Sequence, residues 1–403
     1  MKALFLTNEF PPYIYGGAGV HVDYLTRELS RLCQVEVRCF GDQRVTSEHL
    51  SVMGEMVDTS TYTAPKPLHS VFGALQRCLS FNTRRIDADI VHLHTWYSHF
   101  GGILAKLNYG IPLVLTVHSL EPLRPWKREQ LGGGYDFSLW VEKTAIEMAD
   151  AVIAVSQDTK RDILRHFDVP EEKLHVIPNG VDTNEYKPVS VPHLLKALGI
   201  PQDQPFLLFV GRITRQKGII HLVNALKYLD PGFNVVLMAG APDTPEIAAE
   251  MKAAVDDARR HRDGIIWIEK MVDIPSKVAA YSQASVFCCP SIYEPFGIIN
   301  LEAMACHAPV VASAVGGMKE VIVHGETGLL VPVEQHRESP YEPLDPEQFS
   351  RDLAEAINLL MADHSRRQAM AEAGRQRAVE HYSWTSIARK VHDLYQTLLS
   401  PAR

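Results

Sequence analysis

Short runs rich in Val, Ile and Leu alternate with longer amphipathic stretches along nearly the whole chain. In the first half the strand-like runs fall at Ala3–Thr7, Val35–Phe40, Ile90–His94, Pro112–His118, Ala151–Ser156 and His175–Pro178. Most are apolar throughout, as expected of strands covered on both faces of a parallel sheet. Between the first two, Val22, Leu25, Leu29 and Leu32 recur at spacings of three, four and three, which marks one helical face. Residues 180–205 interrupt the rhythm with Pro188, Pro192, Pro201 and Pro205 and no long apolar strand. The pattern then restarts at Phe206–Val210, Asn234–Ala239, Ile265–Glu269, Ser285–Cys289, Pro309–Ser313 and Leu329–Val331. From about Asp345 it is helical, with a last helix predicted over Ser383–Leu399. Repeated β-then-α units predict two doubly wound, Rossmann-like α/β domains, at 1–185 and 186–382, followed by a helical segment at 383–403. Two such domains facing across a deep cleft would present the carboxyl ends of both sheets to a ligand.

Composition narrows the partners. A chain of 403 residues is too long for one ordinary core, and 46% hydrophobic with 22% charged residues is an ordinary globular balance. The 40 basic and 48 acidic residues give a formal charge of -8, which argues against a nucleic-acid or anionic-lipid surface. The opening MKALFLTNEFPP is too short an apolar run for a signal peptide, and nothing later approaches a membrane span. Six scattered cysteines without a C-x-x-C pair fit reduced thiols, so a cytoplasmic location is expected.

The polar residues just after strands carry the candidate chemistry. Gly16, Gly17, Ala18 and Gly19 follow the first strand and open the first helix, where backbone N–H groups favour an anion. The dinucleotide fingerprint is incomplete there, and VEVRCF ends without the acidic residue that would hold a ribose. His118 closes a strand in LTVHSLEP and points toward the expected ligand side. His92 and His94 alternate with apolar residues in IVHLH, which predicts packing and no metal site. Asp87 and Asp89 precede a buried strand, the wrong end for gripping a metal. In GRITRQKG, Arg212 and Lys217 form a cationic pair at a strand mouth suited to a diphosphate. No P-loop sequence occurs. The densest stretch is PSIYEPFGIINLEAMA, with Glu294 in a loop after a strand, Gly297 at a helix start and Glu302 within the helix. The N–H groups of Ile298 and Ile299 would face outward, giving a phosphate site flanked by two carboxylates.

At these residues the sequence resembles the retaining GT-B glycosyltransferases of family 4, whose paired-glutamate signature Glu294 and Glu302 match. YGGAGVHV, HTWY, TVHSLEPLRPWKREQLGGGY, IPNGVD, VGRITRQKG and YEPFGIINLEAMAC are similar to the actinobacterial-type glycogen synthases. That branch includes enzymes making maltose 1-phosphate from ADP-glucose and glucose 1-phosphate. The resemblance runs from Met1 to about Ser383, in the family's motif order. It implies a GT-B fold, with the last helix packing back toward the N-terminal domain. The implied activity is α-glucose transfer from ADP-glucose or UDP-glucose to an α-1,4-glucan, the glycogen synthase reaction. The alternative acceptor is glucose 1-phosphate. It further implies that Gly16 and Gly17 contact the diphosphate or donor glucose, and that His118, with Asn179 assisting, contacts the sugar. Arg212 and Lys217 would stabilise the leaving diphosphate, Glu294 would hold the donor glucose and Glu302 the ribose, without metal or other cofactor. Related enzymes carry a Lys two residues before the first glycine pair, where this chain has Ile14 and Tyr15. Diphosphate binding from the first domain is therefore expected to rest on backbone N–H groups.

No second carboxylate is identifiable as a covalent nucleophile, so same-face attack is expected, the departing phosphate oxygen taking the acceptor's proton. The segment EPLRPWKREQLGGGY reads as a long loop in which Arg124 and Lys127 would seat the phosphate of glucose 1-phosphate. Tyr135 and Trp126 would equally serve as stacking platforms for a glucan. A homodimer is compatible with the family. A sugar-nucleotide epimerase on the same fold offers no reason for the two glutamates, and a glucan phosphorylase would need a lysine-bound pyridoxal phosphate.

Overall fold

The computed structural model describes residues 1–336 and 341–400. Contacts divide the chain into two compact units, the first Met1–Gly180 with the final helix, the second Val181–Ser383.

In the first unit, β1 (Lys2–Leu6) leads through a glycine loop into α1 (Gly17–Leu29) and back to β2 (Gln34–Phe40). A short hairpin-like edge follows, β3 (Arg44–Thr46) and β4 (Leu50–Glu55), then α2 (His69–Thr83). The remaining repeats are β5 (Ile90–His94), α3 (Trp96–Tyr109), β6 (Leu113–Val117), α4 (Lys127–Leu131), α5 (Gly134–Met148), β7 (Ala151–Ala154), α6 (Gln157–His166) and β8 (Leu174–Val176). Among the described residues the sheet order is β3-β4-β2-β1-β5-β6-β7-β8, parallel except for β3 against β4. Leu32 lies beyond the end of α1 and is exposed, so the helical repeat stops one turn earlier than its spacing suggests.

The second unit contains α7 (Pro192–Ala197), β9 (Phe206–Arg212), α8 (Ile219–Ala225), β10 (Asn234–Gly240), α9 (Pro245–Ala258), β11 (Ile265–Ile268) and α10 (Ile274–Gln283). It continues with β12 (Val286–Cys289), α11 (Ile298–Ala305), β13 (Val310–Ser313), α12 (Met318–Val321), β14 (Gly328–Val331), α13 (Pro346–Ala362) and α14 (His364–His381). Its parallel sheet runs β11-β10-β9-β12-β13-β14. Both sheets reverse winding direction beside their first strand, between β1 and β5 and between β9 and β12. Ligands of such sheets bind outside the strands' carboxyl ends at that switch point.

The last helix, α15 (Trp384–Leu399), belongs to the first unit. Trp384, Ile387, Val391 and Tyr395 enter the core formed by Phe5, Val22, Leu25 and Leu29. The helix starts beside the two switch points lack side-chain caps, as do those of α2, α4, α5, α7 and α12. Ser156, Thr244, Asp273, Asp345 and Asp363 accept N–H groups at the starts of α6, α9, α10, α13 and α14. The starts of α1, α3, α8 and α11 have no such acceptor. An uncapped start leaves N–H groups for a ligand.

Candidate active site

In the second unit the loops after β9 and β12 are pressed together. Gly218 has φ +58, and a Cβ there would overlap the carbonyl oxygen of Pro290, so only glycine fits. The amide of Ile292 donates to Gln216 O at 3.0 Å. This contact aligns Lys217 with Glu294, Nζ to Oε2 at 2.6 Å, with side-chain exposures of 18% and 9%. Burial alone would lower the lysine's pKa, but the Glu294 carboxylate outweighs it and the pKa is raised. The lysine is therefore charged at neutral pH. Gly316, at φ +51, lets the β13–α12 loop wrap over Glu294, whose carbonyl accepts from Gly317 N at 3.1 Å. Arg212 Nη1 meets Asp243 Oδ1 at 3.0 Å, so this arginine is held by a carboxylate.

Gly297 caps α11 with φ +100, and Ile298 and Ile299 lie in the helix's first turn. Glu302, one turn further, is buried. Lys277 Nζ lies 3.0 Å from its Oε2, and Tyr281 Oη donates to the same oxygen at 3.1 Å. The carboxylate expected to hold a ribose is thus already held by a lysine and a tyrosine. Asn300 is fully buried, and neither polar atom of its amide has a partner among the described residues.

In the first unit, Glu9 was not anticipated. Its Oε2 accepts the amides of Tyr15 at 2.8 Å and Gly16 at 2.7 Å, and a Cβ on Gly19 would lie 2.8 Å from that same oxygen. A carboxylate of the chain itself thus occupies two N–H groups of the glycine loop. Those of Gly17 and Ala18 begin α1 beyond it. His118 Nε2 lies 2.9 Å from His94 Nδ1, and Asn179 Oδ1 lies 2.6 Å from His21 Nδ1. His92 packs as expected, its two nitrogens bonded to Tyr395 Oη at 2.5 Å and Thr116 Oγ1 at 2.7 Å. Asp87 pairs with Lys2 before β5, away from the strands' carboxyl ends.

The expected long loop after His118 is more ordered than its glycines suggest. A single turn at Glu121–Leu123 and helix α4 fill it, built by Pro122 and by the helix formers in KREQL. Glu121 anchors it: Arg124 Nη1 lies 3.3 Å from Oε1, Ser138 donates to Oε2, and the Glu121 amide donates to Glu142 at 2.8 Å. Burial, with the nearby Glu121 charge, raises the Glu142 pKa well above the usual range. Tyr135 is 3% exposed, and its hydroxyl donates to Glu121 O. Its ring is buried in the foundation of this segment and offers no open platform for a glucan. Lys127 donates to Gln130 Oε1 at 2.7 Å, at the start of α4.

Two parallel α/β units, each with switch-point helix starts left uncapped and one with a lysine–glutamate pair beside them, define a GT-B glycosyltransferase. The Glycosyltransferase Family 4 profile matches residues 15–185, the Glycosyl transferases group 1 profile matches 191–340, and the chain belongs to this family. It is 45% identical to the alpha-maltose-1-phosphate synthase of Mycolicibacterium smegmatis, covering 98% of this chain and 99% of that one. It is 44% identical to the alpha-maltose-1-phosphate synthase of Mycobacterium tuberculosis, with the same coverage. Sucrose-phosphate synthase from Thermosynechococcus elongatus superposes with a TM-score of 0.80 at 25% identity, over 100% of both chains. Among the described residues no helix is long and apolar enough to cross a membrane.

Proposed function

We propose that this glycosyltransferase moves α-glucose from a nucleoside diphosphate glucose onto glucose 1-phosphate, releasing the nucleoside diphosphate and forming maltose 1-phosphate. The observation that carries the reading is full-length similarity, at 44–45% identity, to two mycobacterial synthases of that name. The same similarity favours this acceptor over the growing glucan expected from the motifs.

In this scheme the anomeric carbon–oxygen bond breaks and the diphosphate leaves with the electron pair. The acceptor's hydroxyl oxygen attacks from the same face, and its proton passes to the departing phosphate oxygen. Lys217, Arg212 and the α11 amides of Ile298 and Ile299 supply positive potential where the charge develops. Each such donor is worth on the order of 3 kcal/mol in the transition state. Glu294 accepts from the donor glucose hydroxyls while its second role, pairing with Lys217, holds both groups in place. His118 and Asn179 contact the sugar from the first unit, with Gly16 and Gly17 beside them. Ribose hydroxyls would join the existing Glu302–Lys277–Tyr281 network. The scheme requires no metal.

The test is a product analysis with ADP-glucose and UDP-glucose, each offered glucose 1-phosphate or glycogen. A phosphorylated disaccharide is expected. Elongated glycogen without it would sink the acceptor assignment and leave the transferase assignment intact. Within the same assay, Lys127→Ala should raise the KM for glucose 1-phosphate and spare that for the donor.

A further inference from the structure

Three imidazoles converge in the first unit. His94 ends β5, His118 follows β6, and His21 projects from α1. One nitrogen of each lies within 4.8 Å of the other two. The rings of His21 and His118 meet edge to face with centroids 4.7 Å apart. Asn179 Oδ1 only accepts, so His21 Nδ1 carries the hydrogen of their 2.6 Å bond and Nε2 keeps a bare lone pair. That Nε2 is buried without a partner among the described residues. Leaving a buried polar atom unpaired is costly, and the pattern asks for a ligand.

We propose that His21, His94 and His118 form a binding site for a borderline divalent transition-metal ion, zinc being the natural test ion. Three neutral nitrogens with a fourth position open toward solvent are the ligand set of a trihistidine zinc site. Asn179 supplies the outer hydrogen bond that fixes His21 with Nε2 inward, the usual support of a metal-bound histidine. His118 is the partly exposed member of the three. Calcium and magnesium, which take oxygen ligands, do not fit this set. Zinc–nitrogen bonds of 2.0–2.1 Å in a tetrahedron separate ligands by about 3.3 Å. The His94–His118 nitrogens, now 2.9 Å apart, need open by only a few tenths of an ångström. The hydrogen of His94 then moves to its Nε2, freeing Nδ1 for the ion. The ion's effect on catalysis rests on the proposed function: His118 contacts the donor glucose there, so a bound ion competes with the donor.

The experiment is equilibrium dialysis of the chelator-stripped full chain against zinc chloride, with cobalt(II) absorption as the spectroscopic readout. One zinc per chain is expected, together with visible cobalt bands of nitrogen ligation. His21→Gln and His94→Gln should each weaken binding by at least about tenfold, and Asn179→Ala by roughly 10–100-fold. His261→Gln, exposed in the second unit, should leave binding unchanged. Circular dichroism identifies a variant that has failed to fold, and Asn179→Ala then carries the test. No stoichiometric uptake, or uptake indifferent to His21, His94 and Asn179, overturns the site. In transfer assays zinc should raise the donor KM with little change in kcat, and zinc that binds without competing overturns the inhibitory role. A chain with no transferase activity would defeat the proposed function while dialysis still decides the site.

Discussion

Removing the Lys217 ammonium should damage folding and turnover in separable ways. At 2.6 Å, with both side chains less than a fifth exposed, Lys217 and Glu294 attract by roughly 6 kcal/mol at an effective dielectric of 20. Most of that repays desolvation, yet deleting one partner strands a buried charge at a cost of about 3–5 kcal/mol. Lys217→Met leaves the carboxylate alone, whereas Lys217→Met with Glu294→Gln leaves no charge at all. The double variant should therefore be more stable than Lys217→Met by about 2–3 kcal/mol. Catalysis should not recover, because the stabilising cation is still missing, with a loss of about 10²–10³ in kcat. Hydrogen exchange on peptides spanning Pro290–Ala305 reads the local stability, and steady-state kinetics reads turnover. The pH dependence has a definite sign. The folded pKa of Lys217 is raised above 10.5, so the lysine's contribution is complete at neutral pH and is lost as pH rises through the folded value. A double variant no more stable than Lys217→Met, or one with restored turnover, would refute the reasoning.

Two further outcomes follow from the first unit. His21 is buried with a pKa of about 4 against 6.5 unperturbed, so folding stability should fall as pH drops from 6.5 toward 4. The loss amounts to roughly 3 kcal/mol from this residue. A pH titration of urea unfolding should show a slope that His21→Gln flattens, and an unchanged slope would count against the buried neutral ring. Glu9→Ala should speed hydrogen exchange at the Tyr15 and Gly16 amides and cut kcat/KM about tenfold, each bond to a charged acceptor being worth about 1.5–3 kcal/mol. Glu9→Gln keeps an accepting oxygen and should stay near wild type; if it fails as badly as Ala, the carboxylate's charge, and not its clamp, is what matters.

Core strands were legible because their apolar runs are long and bounded: β1, β5, β6 and β9 to β14 lie within a residue or two of their predicted places. Strands β3 and β4 were not. All three residues of β3 are exposed, and Gly54 sits inside β4, so neither carries an apolar signature. Glu294, Lys217 and Gly297 were readable because they share short motifs after strands. Glu9 was missed because its partners are backbone amides, which leave no trace in side-chain pattern. His21 had a trace: it precedes Leu25 and Leu29 by one and two steps of four, which puts an imidazole on the buried face of α1. The pairing of Tyr395 with His92, 303 positions apart, had none.

The place of α15 bears on how the chain matures as it leaves the ribosome. The first unit is begun at Met1 but finished only by Trp384–Leu399, after every residue of the second unit has been made. Until then the side of α1 and β1 that will meet Trp384, Val391 and Tyr395 has no cover, and His92 lacks one of its two partners. The core of the second unit, by contrast, is drawn entirely from residues that precede Trp384. Synthesis therefore runs N-to-C while the two units complete their sequences in the reverse of the order in which they begin.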